Sequence, residues 1–267
     1  MGIDIMDDTI ILVVSFGTSY NNNRALTIGA IEDDIKEAFS NYDVRRAFTS
    51  QMVINILKKR DDLAIDNVKE ALERAVDDGI KTVIIQPTHV MDGTEYHFKI
   101  LDVVEDFKER FENIAIADPL LISDEDFEDL IRCITAKEDY GDDTAVVFMG
   151  HGSPAESNRV YTKLQSMLKE KGFNNYYIGT VEAKPDYDDV LAMVKDGDYK
   201  RIVLKPLMVV AGDHAQNDMA GDEDDSWKSM FASEGYEVEC VVEGLAQSKE
   251  IRDVYIKHIQ KVIDDLN

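Results

Sequence analysis

The sequence predicts an α/β protein built as two similar lobes, each a parallel sheet flanked by helices. Three observations lead there. Short apolar, β-branched runs alternate with helical periods along the chain, and the second half repeats motifs of the first. The chain has 267 residues, 44% of them hydrophobic and 31% charged, which is enough for two core-bearing lobes.

In the first half, strands are expected at Thr9 to Phe16, Val44 to Phe48, Thr82 to Gln86 and Ile114 to Ala117. Between them, Ala25 to Phe39 sets Leu26, Ile28, Ile31, Ile35 and Phe39 largely on one helical face. Val68 to Val76 repeats that habit before Gly79 ends it. The second half answers element by element. Ser15-Phe16-Gly17-Thr18-Ser19 corresponds to Gly150-His151-Gly152-Ser153 after the strand Ala145 to Met149. The segment from Gly79 to Pro87 corresponds to that from Asp198 to Pro206, and each proline is followed at the same spacing by a glycine, Gly93 or Gly212. Pro119 to Ser123 resembles Gly244 to Ser248 before the last helix. The lobes are expected over 1–140 and 141–267, joined near Glu138 to Asp143, with the last helix free to pack back on the N-terminal lobe.

Composition narrows the function. No apolar run reaches membrane-spanning length, since Ile10 to Phe16 and Ile202 to Leu207 are only strand-sized. The first eight residues carry Asp4, Asp7 and Asp8 where a secretory signal needs cations, so a cytoplasmic protein is expected. Met6 stands where a myristoylation motif requires Ser or Thr. Cys133 and Cys240 are isolated and read as ordinary buried thiols. A net charge of −25 excludes a nucleic-acid partner, because phosphate binding needs clustered Lys and Arg.

In open parallel sheets, ligands bind beyond the carboxyl ends of the strands, so the residues just after each strand carry the functional reading. In the first lobe these are Gly17-Thr18-Ser19, Thr49-Ser50 and Thr88 to Glu95. In the second they are His151-Gly152-Ser153, Val181-Glu182 and Val209 to His214. His151, Glu182 and His214 are therefore expected to converge. Two imidazoles and one carboxylate suit a divalent first-row ion and leave coordination positions free. In the repeat register Phe16 stands opposite His151 and Glu95 opposite His214, so only the second lobe offers the full set. Glu95 is expected to approach the ion or a substrate from across the cleft.

Each residue also has a plainer reading. A His between glycines is often a turn residue, His214 lies in the capping region of a helix, and Glu182 alone would be a surface carboxylate. His89, whose repeat partner is Met208, reads as packing. His97 and His258 read as helix residues, and Asp222 to Asp225 as a solvated loop. Gly150-His151-Gly152 lacks the preceding Arg of the histidine phosphatases.

At these residues the chain resembles the CbiK-type anaerobic cobaltochelatases of cobalamin biosynthesis, within the class II chelatase group that includes ferrochelatase. The resemblance rests on Val13 to Ser19, Arg46-Ala47-Phe48-Thr49-Ser50, Val147 to Gly152, Pro206 to His214 with Asn217-Asp218-Met219, and Asp225-Ser226-Trp227-Lys228. It covers nearly the whole chain. It implies two ferrochelatase-like lobes around a cleft in which His151, Glu182 and His214 hold cobalt as a substrate, with no organic cofactor.

It further implies that the partner is sirohydrochlorin, and that Arg46 and the Ser15, Thr18 and Ser19 loop lie near this tetrapyrrole. His151 is then the expected proton acceptor, with Glu95 as a second catalytic group. A polycarboxylate substrate requires a locally neutral or basic pocket on this acidic chain. Iron or nickel chelation, and a carrier that binds without turnover, are the competing readings, and a homo-oligomer is left open.

Overall fold

The computed structural model describes residues 8–136 and 140–266. Among these residues eight strands form two sheets of four. The first sheet holds β1 (Thr9–Ser15), β2 (Asp43–Phe48), β3 (Thr82–Pro87) and β4 (Asn113–Ile116) in the order β2-β1-β3-β4. The second holds β5 (Thr144–Gly150), β6 (Tyr176–Thr180), β7 (Arg201–Pro206) and β8 (Glu237–Cys240) in the order β6-β5-β7-β8. Every pairing is parallel. The second order is the first repeated, so the duplication read in the sequence is a duplication of topology. Part of the expected junction, Glu138 to Asp143, lies outside the described residues.

The central strands are buried along their whole length, as apolar runs covered on both faces should be. Alternate side chains of β1 divide between two cores. Ile10, Leu12 and Val14 pack with Val68, Leu72 and Phe107 on the outer face, whereas Ile11 and Val13 join a core that also takes Val146 and Phe148 of β5. Ala145, Val147 and Met149 meet Val190, Trp227 and Phe231 on the outer face of the second sheet. One apolar interior is thus shared by both halves.

Its closure depends on an exchange of terminal helices. Helix Asp124–Thr135, which ends the first half, brings Phe127, Leu130 and Ile131 into the same cluster as Val160, Leu164 and Leu168 of helix Arg159–Glu170. Lys163 reaches Asp124 at 2.5 Å and lies 4.1 Å from the Phe127 ring centroid. Helix Lys249–Leu266, which ends the second half, returns to the first. Ile251, Val254, Tyr255 and Ile259 are buried along it, at roughly 1.5–3 kcal/mol for each such side chain. The Tyr255 hydroxyl donates to the Thr88 carbonyl at 3.0 Å, and Arg252 donates to Asp34 at 2.7 Å. The buried His258 ring bridges the Asp118 carbonyl and the Asp126 carboxylate, each at 3.0 Å. Burial pushes the Asp126 carboxyl up, but His258 and the Ser123 cap pull it down further, to about 2.

Several expectations need correction. The helix over Ala25 to Phe39 is interrupted: Ala25–Gly29 is a π-helical turn, and the regular helix runs Ala30–Ala38. The wider turn shifts the helical phase, so Leu26, expected inside, is 57% exposed, while Ile28, Ile31 and Ile35 are fully buried. The cysteines are half-buried rather than buried, and the Cys133 thiol donates to the Ser248 hydroxyl at 3.1 Å. Strand β8 lacks an apolar run because it is an edge strand whose Glu237 and Glu239 face outward.

Candidate metal centre

The chain leaves β5 towards β6 on one side and later places β7 on the other, so the loops after β5 and β7 diverge and open a crevice at the carboxyl edge. His151 follows β5 and His214 follows β7. Glu182 is held beside them by the main chain: Val181 N–H donates to the Gly150 carbonyl at 3.0 Å and Glu182 N–H to the His151 carbonyl at 2.9 Å. Gly152 allows this approach. Its φ is +91°, and a Cβ there would lie 2.8 Å from the Ala183 nitrogen.

The two imidazole centroids are 4.6 Å apart with planes at 80°. His151 Nε2 is 3.8 Å from Glu182 Oε2, and His214 Nε2 is 4.0 Å from Glu182 Oε1. One donor atom from each residue lies within 4.8 Å of the other two. Bonds of about 2.1 Å to one ion put neighbouring donors roughly 3–3.5 Å apart, so a small closure of the side chains suffices. Both Nε2 atoms are the nitrogens left for an ion, since each Nδ1 has its own partner. His151 Nδ1 lies 2.9 Å from the Gly152 carbonyl oxygen and His214 Nδ1 lies 2.6 Å from Asp218 Oδ2. The His151, Glu182 and His214 side chains are 45%, 55% and 33% exposed, so the centre is open on one side. Three donors with free positions suit an ion that must be handed on.

Asp218 was not anticipated as part of the centre. Its sequence signals are its place in the Asn217-Asp218-Met219 stretch of the resemblance and its i+4 spacing from His214, realised across the π-helical turn Ala215–Met219.

Loops from the first lobe complete the wall. Thr18 Oγ1 would sit 3.5 Å from a Cβ on Gly212, the Tyr20 hydroxyl donates to Asp213 at 3.4 Å, and Ala211 N–H donates to Asn23 at 2.9 Å. The repeat-related contact is also made. Gly93 packs against Ser153, whose hydroxyl is 3.4 Å from that of Thr94. Glu95 follows on the short helix Thr94–Tyr96. It is half-buried and is not one of the three clustered donors.

The remaining predicted residues make hydrogen bonds within the protein. Ser15 is buried and accepts from the Thr88 hydroxyl at 2.8 Å. Thr18 is buried and accepts from Tyr20 N–H at 3.3 Å, and the Ser19 carbonyl accepts from Arg60 at 2.6 Å. Arg46 gives its fork to Glu32 at 2.7 and 2.5 Å. Also on this wall is Arg24, which donates to the Thr18 carbonyl at 3.3 Å and to Asn21 at 2.9 Å and makes no ion pair among the described residues. Burial and the nearby Arg46 lower its pKa. Exposed apolar side chains gather at the same strand exits: Phe16 and Tyr20 after β1, and Met52 after β2.

Of the other histidines, His89 packs edge-on to Tyr96 with both ring nitrogens buried and without a partner among the described residues. Burial lowers its pKa to about 4. His97 is exposed on the π-helical turn His97–Leu101, and Asp222 to Asp225 form an exposed loop.

Two parallel-sheet lobes closed over an open centre of two imidazoles and a carboxylate define a two-lobed chelatase. The fold is shared with SirB from Bacillus subtilis, solved with Fe3+, at a TM-score of 0.66 and 14% identity over 95% of each chain. It is also shared with CbiX, the terminal enzyme of sirohaem biosynthesis in denitrifying bacteria, at a TM-score of 0.54 and 14% identity, covering 94% of this chain and 98% of that one.

Within this class the sequence is more specific, matching the cobalt chelatase (CbiK) family over residues 9–264, and the chain belongs to that family. It is 35% identical over 255 residues to the sirohydrochlorin cobaltochelatase of Salmonella typhimurium, covering 95% of this chain and 96% of that protein. It is 31% identical over 265 residues to the sirohydrochlorin cobaltochelatase CbiKC of Nitratidesulfovibrio vulgaris, covering 96% of this chain and 91% of that one.

Proposed function

We propose that this protein is a cytoplasmic sirohydrochlorin cobaltochelatase, which inserts Co2+ into sirohydrochlorin with loss of two pyrrole protons. The observation that carries the reading is the convergence of His151, Glu182 and His214, each from a different strand exit, within 4.8 Å in an open crevice. Family membership supports the substrate and the metal. The exposed Phe16, Tyr20 and Met52 suit the flat apolar face of a macrocycle. Arg24, which makes no ion pair within 4.0 Å among the described residues although Asp61 acts on it from nearby, supplies positive charge for its peripheral carboxylates.

Insertion exchanges two N–H protons for one dication, so the site needs proton acceptors as well as ligands that let the ion go. An imidazole serves one task at a time. In this mechanism Glu182 and His214 hold Co2+ while His151 accepts the first pyrrole proton through Nε2. Glu95, on the opposite wall, accepts the second. The ring nitrogens then replace the protein donors, and the protons leave to solvent through the open side. Intrinsic affinity favours nickel and copper over cobalt, so geometry and metal supply must set the choice.

Mixing the purified protein with sirohydrochlorin and Co2+, and following absorbance, is expected to show many turnovers per protein. Binding that stops at one equivalent would make it a carrier, and competition with Fe2+ and Ni2+ identifies the preferred ion. His151→Ala should cut turnover by about 10²–10⁴-fold with unaltered folding. Near-normal turnover in that variant would remove His151 from the chemistry.

A further inference from the structure

The two imidazoles of the centre are anchored differently. His151 Nδ1 meets a neutral acceptor, the carbonyl of its own neighbour Gly152, at 2.9 Å. His214 Nδ1 meets a carboxylate, Asp218 Oδ2, at 2.6 Å. A carbonyl fixes a ring's tautomer and orientation. A carboxylate does that and also makes the opposite nitrogen a stronger donor, because its charge stabilises the positive charge the ring acquires on binding a cation.

Asp218 has no other role visible in the fold. Its side chain is 44% exposed, and His214 is its one hydrogen-bond or ion-pair partner among the described residues. The neighbouring polar contacts bypass it, since Asn217 donates to Asp213 at 2.9 Å, and Asp213 accepts from Tyr20. Nor does the repeated scaffold demand an acid there. In the register that pairs Pro87 with Pro206 and Glu95 with His214, the residue opposite Asp218 is Lys99. The first lobe carries a π-helical turn at this level too, His97–Leu101, so the turn recurs while the charge is reversed.

We infer that Asp218 is a positioning residue that makes His214 the resident ligand of the metal centre and leaves His151 as the more readily exchanged ligand. The inference rests on the proposed metal-holding role of His151, Glu182 and His214. It assigns the two histidines unequal tasks from their anchors alone.

The test is Co2+ titration of the full-length protein without tetrapyrrole, read by calorimetry and by the visible ligand-field bands of the bound ion. Asp218→Ala should weaken Co2+ binding by about 10–100-fold and change the band pattern, with apo thermal unfolding unchanged. Asp218→Asn keeps an acceptor for Nδ1–H but loses the charge, so it should retain the wild-type band pattern with an intermediate loss of affinity. In turnover, Asp218→Ala should raise KM for Co2+ more than it lowers kcat. Wild-type affinity and bands in Asp218→Ala, beside lost binding in His214→Ala, would overturn the inference alone. Wild-type binding in both variants would overturn the metal centre and the inference with it.

Discussion

The two lobes share a main-chain frame down to single hydrogen bonds, yet among the described residues only the second gathers the donors of the proposed metal centre. After β5 and β6, Val181 and Glu182 donate to the carbonyls of Gly150 and His151. After β1 and β2, Thr49 and Ser50 donate to those of Ser15 and Phe16 at 2.9 and 3.1 Å. Gly17 and Gly152 occupy the same left-handed turn, at φ +99° and +91°. The residues at the three decisive positions are Phe16, Ser50 and Glu95 in one lobe and His151, Glu182 and His214 in the other. Ser50 is engaged in capping helix Gln51–Asp61. In the second lobe that task passes to Asp186, at the start of helix Tyr187–Lys195, which frees Glu182 for the crevice. The frame thus supplies positions, and the side chains decide which chemistry each lobe presents at them.

The contrast can be sharpened at Glu95, the one ionisable member of the first lobe's three positions. Glu95→Gln should lower turnover by about 10²–10⁴-fold while leaving Co2+ affinity unchanged, if the proposed role of second proton acceptor is the one it has. Reduced Co2+ affinity in this variant would place it among the ligands instead.

A second contrast lies at His89 and its repeat partner Met208. Free histidine takes up a proton near pH 6.5, whereas the buried His89 does so only near 4. Between these values the unfolded chain binds more protons, so stability falls as the pH drops from 6.5 to 4, by about 3 kcal/mol from this residue. His89→Met makes the lobes alike here and should remove that share of the acid sensitivity, measured by urea unfolding across the pH range. Identical pH profiles for both proteins would mean the imidazole is solvated. A smaller effect is expected where the exchanged helix meets the first lobe. Tyr255→Phe leaves the Thr88 carbonyl without its donor and should cost about 1 kcal/mol in the same assay.

The sequence was most legible where one residue's chemistry followed a strand. Alternating runs located the central strands, and strand exits pointed to His151, Glu182 and His214. It was least legible where the answer lay in contacts between distant segments. The pairing of Arg46 with Glu32, from another element, had no signal in the sequence. A π-helical turn leaves no periodic signal, which hid both the exposure of Leu26 and the reach of Asp218 back to His214. The edge strand β8 alternates glutamates with Val238 and Cys240 over only four residues, too short a stretch to stand out beside the continuous apolar runs of the central strands.

The crossing of the two terminal helices bears on how the chain matures. Because helices Asp124–Thr135 and Lys249–Leu266 each cover apolar surface of the opposite half, neither half finishes its interior until the other has been made. A nascent first half leaving the ribosome therefore waits for the eighteen-residue helix Lys249–Leu266 before its sheet is sealed. Two fragments cut between the halves should regain the native state only when mixed.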